Sequence, residues 1–365
     1  MKHSVIKFIA LGALALGVAA CSNDEPDGPG PVIDPVEPNS ILVVNNGVQS
    51  TGVPGTLTLY STSNGNTVAD AFRDANNLSI GDTPQDIVVY GSKLYISVFD
   101  SNCIWVLDAK TLKIKKNIVP EAPSQGPRNF AVAHGKVYVS LYSGHVAAID
   151  TTTMAIETTF EVGPNPEKIA IKDNLMYVAN SDGNNWMQGN INSSLSIVDL
   201  VTMKGAEYKI GANVTSVVTN GRDVFALCMG NYGDIPASIK KIGSDGSATD
   251  FCPGTIMAIY GTNLYVINDP AMTPGNPTYK VYTTDRGDES DMFAAGTETP
   301  KAPCGISINT ADGSFVVLSR LMGEQYPLYT DPGMAYFYNA DATLRAKFDI
   351  GINPVAAVFN FTTTE

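Results

Sequence analysis

Short apolar runs separated by polar turns follow one another along almost the whole chain from residue 40 onward. In the stretch PEKIAIKDNLMYVA (166–179), a proline precedes an apolar run, a polar turn interrupts it, and a second apolar run with a tyrosine follows. Apolar runs of this length, bounded by turn residues, predict two β-strands joined by a tight turn.

The same two-strand pattern recurs about every 40 to 50 residues, which is the period of a propeller blade. Its copies lie at 84–97, 127–140, 166–179, 214–227, 254–267 and 303–318, and its first half returns at 354–361. Most copies are followed by a third strand, such as CIWVLD (103–108), and by a weaker fourth, such as IKKNI (114–118). The nearly continuous apolar first strand is expected to be buried on both faces, and the charged, alternating fourth strand to face solvent.

The two ends of the chain predict how the repeats close. The chain opens at ILVVNNG (41–47), which matches a second strand, and continues with TLTLYST (56–62) and TVADAF (67–72) as third and fourth strands. It ends on a lone first strand, PVAAVFNF (354–361). We therefore predict an all-β, seven-bladed β-propeller with four antiparallel strands per blade, in which the C-terminal strand pairs in the N-terminal blade and removes two exposed edges. A parallel β-helix is the competing repeat fold, but its rungs are shorter and lack this four-strand meander.

Loops between second and third strands should share one face of the propeller with the loops that precede the first strands. They are short at 99–102 and 141–144 and long at 45–55, 180–194, 228–237, 268–278 and 319–333. The long loops carry apolar side chains, namely Trp186, Met187, Met229, Tyr232, Met272, Met322, Tyr326 and Tyr329. Such loops either pack on one another and cap the central channel or form the wall of a ligand cleft, and we favour the cleft.

Polar side chains are expected on the same face, at the ends of second strands and the starts of first strands. Taken singly, each is consistent with a loop cap, but as a ring around an apolar wall they predict a site for a small molecule or oligosaccharide. The candidate ligand-binding residues are Asn46, Gln85, Asp100, Arg128, Tyr142, Glu167, Asn180, Trp186, Tyr232, Asn268, Arg320 and Tyr326.

The N-terminal segment differs from the repeats. Residues 1–20 have lysines before a short apolar run that ends in small residues, which predicts a secretory signal peptide. The end of this run resembles the lipobox of bacterial lipoproteins, with Cys21 as the lipidated residue, although ordinary cleavage of a secreted protein is the alternative. Residues 21–39 are rich in proline, glycine and acid and predict a flexible tether. The propeller then occupies residues 40–365.

Charge excludes some partners. The chain has 23 basic and 36 acidic residues, a formal net charge of −13. Removal of the signal peptide takes away Lys2 and Lys7 and no acid, so the mature chain is more acidic still. This balance argues against nucleic acid and against anionic lipid headgroups as partners.

The sequence contains no GxSxG, HExxH, P-loop or EF-hand motif. His134 and His145 are the only histidines after the signal peptide, and neither has a ligand partner at metal-binding spacing. Asp100 and Glu167 are weak candidates for a glycosidase acid pair. We therefore expect no enzyme and no metal or catalytic cofactor. Cys103, Cys228, Cys252 and Cys304 form no CxxC pair; their disulfide state stays open, although Cys103 and Cys228 lie in apolar runs typical of buried thiols.

The repeat itself resembles a known family. The units GPRNFAVAHGKVYVSLYSGHVAAIDTTT (126–153) and GPNPEKIAIKDNLMYVANS (163–181) resemble the YncE-like seven-bladed propellers over roughly residues 40–361. With the lipobox, the acidic tether and the opening ILVVNNG, the chain resembles the Bacteroidetes surface lipoproteins of the DUF5074 type, which include the BtuG-like cobalamin-binding proteins. The acidic stretch after Cys21 likewise resembles their surface-export signal, a solvated linker being the alternative.

This resemblance implies a lipid-anchored protein on the outer face of the outer membrane. It would capture cobalamin or a related corrinoid and deliver it to a TonB-dependent outer-membrane transporter. A non-enzymatic protein-interaction scaffold in a surface glycan or nutrient uptake complex is the alternative function. Because such repeats identify a fold better than a ligand, no binding residue of that family is transferred to this chain.

Overall fold

The chain consists almost entirely of short antiparallel strands. The computed structural model describes residues 39–183, 185, 192–270 and 276–361. Within that part, the helical segments are α1 (Ala71–Asn76) and one 3₁₀ turn (Gln49–Thr51). The strands are β1 (Ser40–Asn45), β2 (Thr56–Ser61), β3 (Thr67–Val68), β4 (Pro84–Tyr90), β5 (Lys93–Val98), β6 (Cys103–Asp108), β7 (Ile114–Ile118), β8 (Pro127–Ala133), β9 (Lys136–Leu141), β10 (His145–Asp150), β11 (Ala155–Glu161), β12 (Pro166–Lys172), β13 (Leu175–Asn180), β14 (Ser194–Asp199), β15 (Lys204–Tyr208), β16 (Val214–Thr219), β17 (Val224–Cys228), β18 (Ser238–Ile242), β19 (Ala248–Cys252), β20 (Ile256–Tyr260), β21 (Asn263–Asn268), β22 (Thr278–Thr283), β23 (Glu289–Asp291), β24 (Pro303–Ile308), β25 (Phe315–Ser319), β26 (Pro332–Tyr338), β27 (Leu344–Ile352) and β28 (Pro354–Asn360).

These strands form seven four-stranded sheets, which are the blades of a propeller. Blade 1 has the order β28-β1-β2-β3, and blades 2 to 7 use the remaining strands in chain order, four to a blade, from β4–β7 to β24–β27. The first strand of every blade contacts the first strand of the next blade, and β28 contacts both β24 and β4. The first strands therefore form a closed inner ring, which confirms the predicted seven-bladed propeller.

Ring closure depends on β1, which hydrogen-bonds to β2 on one side and to β28 on the other. Ile41 lies opposite Phe359 and Val43 opposite Ala357. Every residue of β1 is buried, and the ring of Phe359 packs against that of Phe337, with centroids 5.9 Å apart. The C-terminal strand therefore completes the core of the N-terminal blade, as predicted.

Burial is distributed differently from the prediction. The second strands, such as β17 and β25, are buried at every position, whereas first strands such as β12 and β16 alternate buried with half-buried residues. The prediction that the first strand is buried on both faces was therefore wrong. One face of each first strand borders the propeller axis, where no further strand covers it.

The predicted fourth strand TVADAF (67–72) is also wrong beyond its first two residues. Only Thr67 and Val68 pair with β2, and the chain then turns into α1. The side chain of Asp70 caps the helix by accepting a hydrogen bond from the Arg73 N–H at 3.2 Å. Phe72 is fully buried in the core shared with blade 2, so the helix replaces the outer part of a strand.

Three turns between third and fourth strands are held by the same pair of hydrogen bonds, from two backbone N–H groups to an aspartate. Asp108 Oδ1 accepts hydrogen bonds from the N–H groups of Lys110 (3.1 Å) and Thr111 (2.9 Å). Asp150 and Asp199 bind the N–H groups two and three residues ahead in the same way. Because these bonds favour the carboxylate form, the pKa of each aspartate is lowered, and that of Asp108 falls to about 2, first through the Thr111 N–H and then through Lys115.

Asp108 should make stability depend on pH in a defined window. Its pKa is lower in the folded state (about 2) than its ordinary value of 3.8. Its stabilising contribution is therefore present above about pH 4 and lost as the pH falls towards 2. After allowance for solvent screening we expect about 1 kcal/mol. Urea unfolding gives the free energy of unfolding at pH 5 and at pH 2.5. The difference between these two values should be smaller for Asp108→Asn than for the wild type. Asp285→Asn, in a turn of blade 6 without this pair of backbone hydrogen bonds, should reduce the difference less.

Candidate functional site

The inner ring is irregular where it meets the loop-bearing face. Six of the seven first strands carry a register shift at their second or third residue. Such β-bulges re-aim side chains and are common at rims and binding sites. The second residues of these six strands are Gln85, Arg128, Glu167, Thr215, Cys304 and Val355. They are polar in blades 2 to 5 and apolar in blades 7 and 1, so the rim of the channel, here called the mouth, has two unlike sides.

Arg128 is the centre of the polar side. Its guanidinium packs beside the rings of Phe99 and Tyr142, 5.2 Å and 5.1 Å from their centroids. It also forks onto Glu167 in the next blade, with Nε–Oε2 at 2.9 Å and Nη2–Oε1 at 2.8 Å. The side chains of Arg128 and Glu167 are only 21% and 12% exposed. This bidentate pair fixes the orientation of both side chains at the mouth.

The environment of Glu167 is partly desolvated. Burial raises the pKa of Glu167, and the charge and hydrogen bonds of Arg128 oppose that rise. Burial also raises the pKa of Tyr142, with a further contribution from the charge of Glu167. These shifts identify the polar side of the mouth as an enclosed, low-dielectric surface.

A second ion pair lies one residue further along the same strands. Lys168 Nζ is 3.1 Å from Asp86 Oδ2, which also accepts a hydrogen bond from the Phe130 N–H at 2.8 Å. The three residues belong to the first strands of blades 4, 2 and 3. These contacts link blades 2, 3 and 4 near Arg128, further along their first strands.

The opposite side of the mouth is built around Arg320. Its guanidinium stacks on the ring of Tyr329 at 4.7 Å, and its Nε donates to Asn353 Oδ1 at 3.2 Å. The amide of Asn353 donates in turn to the carbonyl oxygens of Gly47 (3.0 Å) and Tyr329 (2.8 Å). Loops of blades 7 and 1 are therefore joined where the ring closes.

Tyr232 adds an aromatic side chain from blade 5 to this face, and it is 39% exposed. It is at the tip of the 228–237 loop with a positive φ of 54°, and Asn231 Oδ1 holds the turn by accepting from the N–H groups of Gly233 (3.0 Å) and Ile235 (2.9 Å). Burial raises the pKa of Tyr232, and the nearby Tyr329 and Glu167 raise it further. Tyr232 therefore lies within electrostatic reach of residues from blades 4 and 7.

Of the predicted site residues, the structure places Arg128, Tyr142 and Glu167 in contact with one another, whereas Tyr232 and Arg320 lie on other loops of the same face. Asp100 is exposed at the rim of blade 2 and accepts from the Thr83 hydroxyl, and Gln85 is half-buried beside it. Asn46 is half-buried in the first loop of blade 1, and its N–H donates to Asn353 O at 2.9 Å.

The remaining predicted residues are more scattered. Asn180 is fully buried, and its amide donates to the hydroxyls of Ser194 and Ser196, both at 2.9 Å, so it supports β14 within the sheet. Asn268 ends β21 and is half-buried, and Tyr326 is 64% exposed on the loop of blade 7. Trp186 and Cys21 lie outside the described residues.

Three contributors to this face were not predicted: Phe99, Lys168 and Asp269. Phe99 lies in the short loop 99–102 of blade 2, and its place directly after a second strand is the sequence feature that could have identified it. Lys168 follows a predicted site residue directly in the sequence. Asp269 follows Asn268 and precedes a proline, and its surroundings are described below.

The described residues include histidine, cysteine and acidic side chains that could in principle ligate a metal, and four thiols. No group of three histidine, cysteine or acidic side chains there could hold a metal ion. Cys103, Cys228, Cys252 and Cys304 are free, and burial raises the pKa of Cys103 and Cys228 to about 11, in agreement with the predicted buried thiols. No helix in the described part of the chain is long and apolar enough to cross a membrane.

The fold and its mouth define a seven-bladed β-propeller with one elaborated face, an architecture consistent with a binding or scaffold protein. Within it, residues 39–188 match a family described as a domain of unknown function, DUF5074. This match supports the resemblance to proteins of the DUF5074 type. No curated protein matches the chain.

Solved structures show the same fold at low sequence identity. A hydrazine synthase structure of Kuenenia stuttgartiensis aligns at 17% identity over 75% of this chain and 88% of that chain, with a TM-score of 0.58. The WD40 repeats of RRP9 align at 10% identity over 74% of this chain and 81% of that chain (TM-score 0.53), and the computationally designed Ika8 protein at 12% over 84% and 79% (TM-score 0.51). At such identities the likeness shows the fold alone.

Proposed function

We propose that the protein binds a small amphipathic ligand at the mouth, and that this ligand is cobalamin or a related corrinoid. The observation that carries the proposal is the partly buried cluster of Arg128, Tyr142 and Glu167 on the loop-bearing face, with the exposed rings of Tyr232 and Tyr329 on other loops of that face. Aromatic rings suit the face of a large ring system, and the charged side chains suit its polar amides. The further steps, lipid anchoring through Cys21 and delivery to a TonB-dependent outer-membrane transporter, rest on the sequence resemblance.

The mouth is ordered before any ligand arrives. Arg128 is held by two rings and a bidentate carboxylate, and Tyr232 by a turn that Asn231 closes. Because these side chains lose little conformational freedom on binding, most of the contact energy is retained as affinity. A rigid propeller rim therefore favours tight capture of a dilute nutrient.

Replacement of Tyr232 by alanine should weaken ligand binding about tenfold or more, because a central aromatic residue at such a rim carries a large share of the contact energy. Equilibrium titration with cyanocobalamin measures the effect. Tyr90→Ala, which removes a half-buried tyrosine on the opposite face, is the matched control and should bind as the wild type does. Absence of binding by the wild type at micromolar cyanocobalamin would exclude the corrinoid proposal.

A scaffold function is the second candidate, and the 319–333 loop favours it. Leu321, Tyr326 and Tyr329 are 51%, 64% and 56% exposed, and the loop is braced by a hydrogen bond from Leu328 N to Leu321 O at 2.8 Å. Adjacent exposed apolar side chains on a braced loop are typical of a protein-contact surface. Capture of a transporter that is unaffected by cyanocobalamin but lost in Tyr326→Ala would favour the scaffold.

A further inference from the structure

A pocket of about 320 Å³ lies beside the mouth, between the loops of blades 5 and 6. Its volume corresponds to about ten water molecules, enough for a small organic ligand. Most of its wall is apolar and comes from Met229, Ile235, Pro236 and Pro253; Tyr232, which the pocket shares with the mouth, and Thr255, Asn268 and Asp269 add polar atoms. A concave, mainly apolar pocket with few polar groups is the usual form of a small-ligand site.

Asp269 is the polar group that this wall leaves unsatisfied. Its Oδ1 is buried and has no hydrogen-bond partner in the part of the chain that the structure describes. Thr255 cannot supply one, because its hydroxyl donates to Ile267 O at 3.2 Å and accepts from the Asp269 N–H at 2.9 Å. Burial accordingly raises the pKa of Asp269.

Other buried or partly buried acids of the described residues have cation or backbone partners; buried Asp182, for example, accepts from the N–H groups of Asn192 (2.6 Å) and Ser193 (2.9 Å). Glu167 has Arg128, Asp86 has Lys168, and Asp223 has Lys241 at 2.9 Å. Among the described ion pairs, none involves Asp269. A carboxylate removed from water without a partner costs free energy, and a cationic ligand would recover that cost.

We propose that this pocket binds an organic ammonium ion with an apolar stem. The ammonium group donates a charge-assisted hydrogen bond to the Asp269 carboxylate, and the stem lies against Met229, Ile235 and Pro236. The net charge of −13 favours the approach of cations over anions. The inference goes beyond the proposed function, because it concerns a second ligand class and does not depend on what the mouth binds.

Phenethylammonium is a suitable probe, with 2-phenylethanol as its neutral counterpart of similar shape. Isothermal titration of the purified full chain at pH 7 should give an affinity for the amine about tenfold or more above that for the alcohol, as expected of a charge-assisted hydrogen bond. Asp269→Asn keeps the shape of the side chain and should reduce this preference to within about twofold. Ile235→Ala, at a residue 37% exposed, should weaken amine and alcohol alike.

Each outcome bears on the proposal. Equal affinities for amine and alcohol in the wild type, an unchanged preference in Asp269→Asn, or no amine binding at millimolar concentration would each overturn it. Thermal unfolding of both variants establishes that they are folded. Cyanocobalamin titration of Asp269→Asn tests the two proposals separately. If the corrinoid proposal fails, the amine preference of the pocket is unaffected. If the amine proposal fails, cyanocobalamin binding at the mouth is unaffected.

Discussion

A chain that ends at Asn353 should fail to form a stable propeller. The truncation removes β28, and with it Ala356, Ala357 and Phe359 from the core and the inner hydrogen-bonding partner of β1. All six residues of β1 are buried in the intact ring, so their edge and apolar side chains would be exposed to water. We expect a loss of more than about 5 kcal/mol, comparable with the whole stability of a domain. Circular dichroism and size-exclusion chromatography should show an unfolded or aggregated product.

A circular permutant provides the matched control. The two ends of the propeller are adjacent, since Asn39 N donates to Asn360 O at 3.0 Å. A short linker between residues 361 and 39, with new termini at the exposed turn 91–92, keeps every strand and should retain the fold. If the truncated chain is as stable as the wild type, β28 does not hold the ring closed.

Replacement of Arg128 by alanine should lower the free energy of unfolding by about 3 kcal/mol. The change leaves Glu167 partly desolvated without its cation, and it removes the guanidinium that packs beside Phe99 and Tyr142. Removal of one partner from a buried pair is costly because the other charge stays buried. Chemical denaturation monitored by fluorescence measures the change.

The pair should behave quite differently when both charges are replaced. Arg128→Met combined with Glu167→Leu removes the uncompensated charge and should recover most of the lost stability. The same double variant should still lose ligand affinity, because the charged side of the mouth is gone. A double variant as unstable as Arg128→Ala would show that the stacking on Phe99 and Tyr142, and not the ion pair, stabilises this region.

The fold could be read from the sequence because each blade repeats the same apolar pattern, and closure because the two ends supply complementary strands. Local exceptions were harder to predict. The helix α1 depends on the Asp70 cap and on the burial of Phe72, which compete with a weak strand pattern. The strand β18 was missed because Lys240 and Lys241 interrupt its apolar run; both lysines are ion-paired, with Asp250 and Asp223.

The site could be predicted as a face but not as a set of contacts. That Arg128 and Glu167 open successive first strands was visible in the sequence, and their shared rim follows from the topology. Their bidentate pairing depends on how far one blade is rotated against the next and on the bulges that aim both side chains. The lack of an ion-pair partner for Asp269 likewise depends on tertiary structure, because it is set by which side chains the neighbouring blades place beside it.

Closure by the last strand also has a consequence for the timing of folding. Asn353 Nδ2 and Gly47 O, which meet where the ring closes, are 306 residues apart in sequence. The first blade therefore lacks its innermost strand until the final residues emerge from the ribosome, and contacts of such long range form slowly. A nascent chain therefore stays open at blade 1 throughout its synthesis, and β1 pairs with β28 only once residues 354–360 are available.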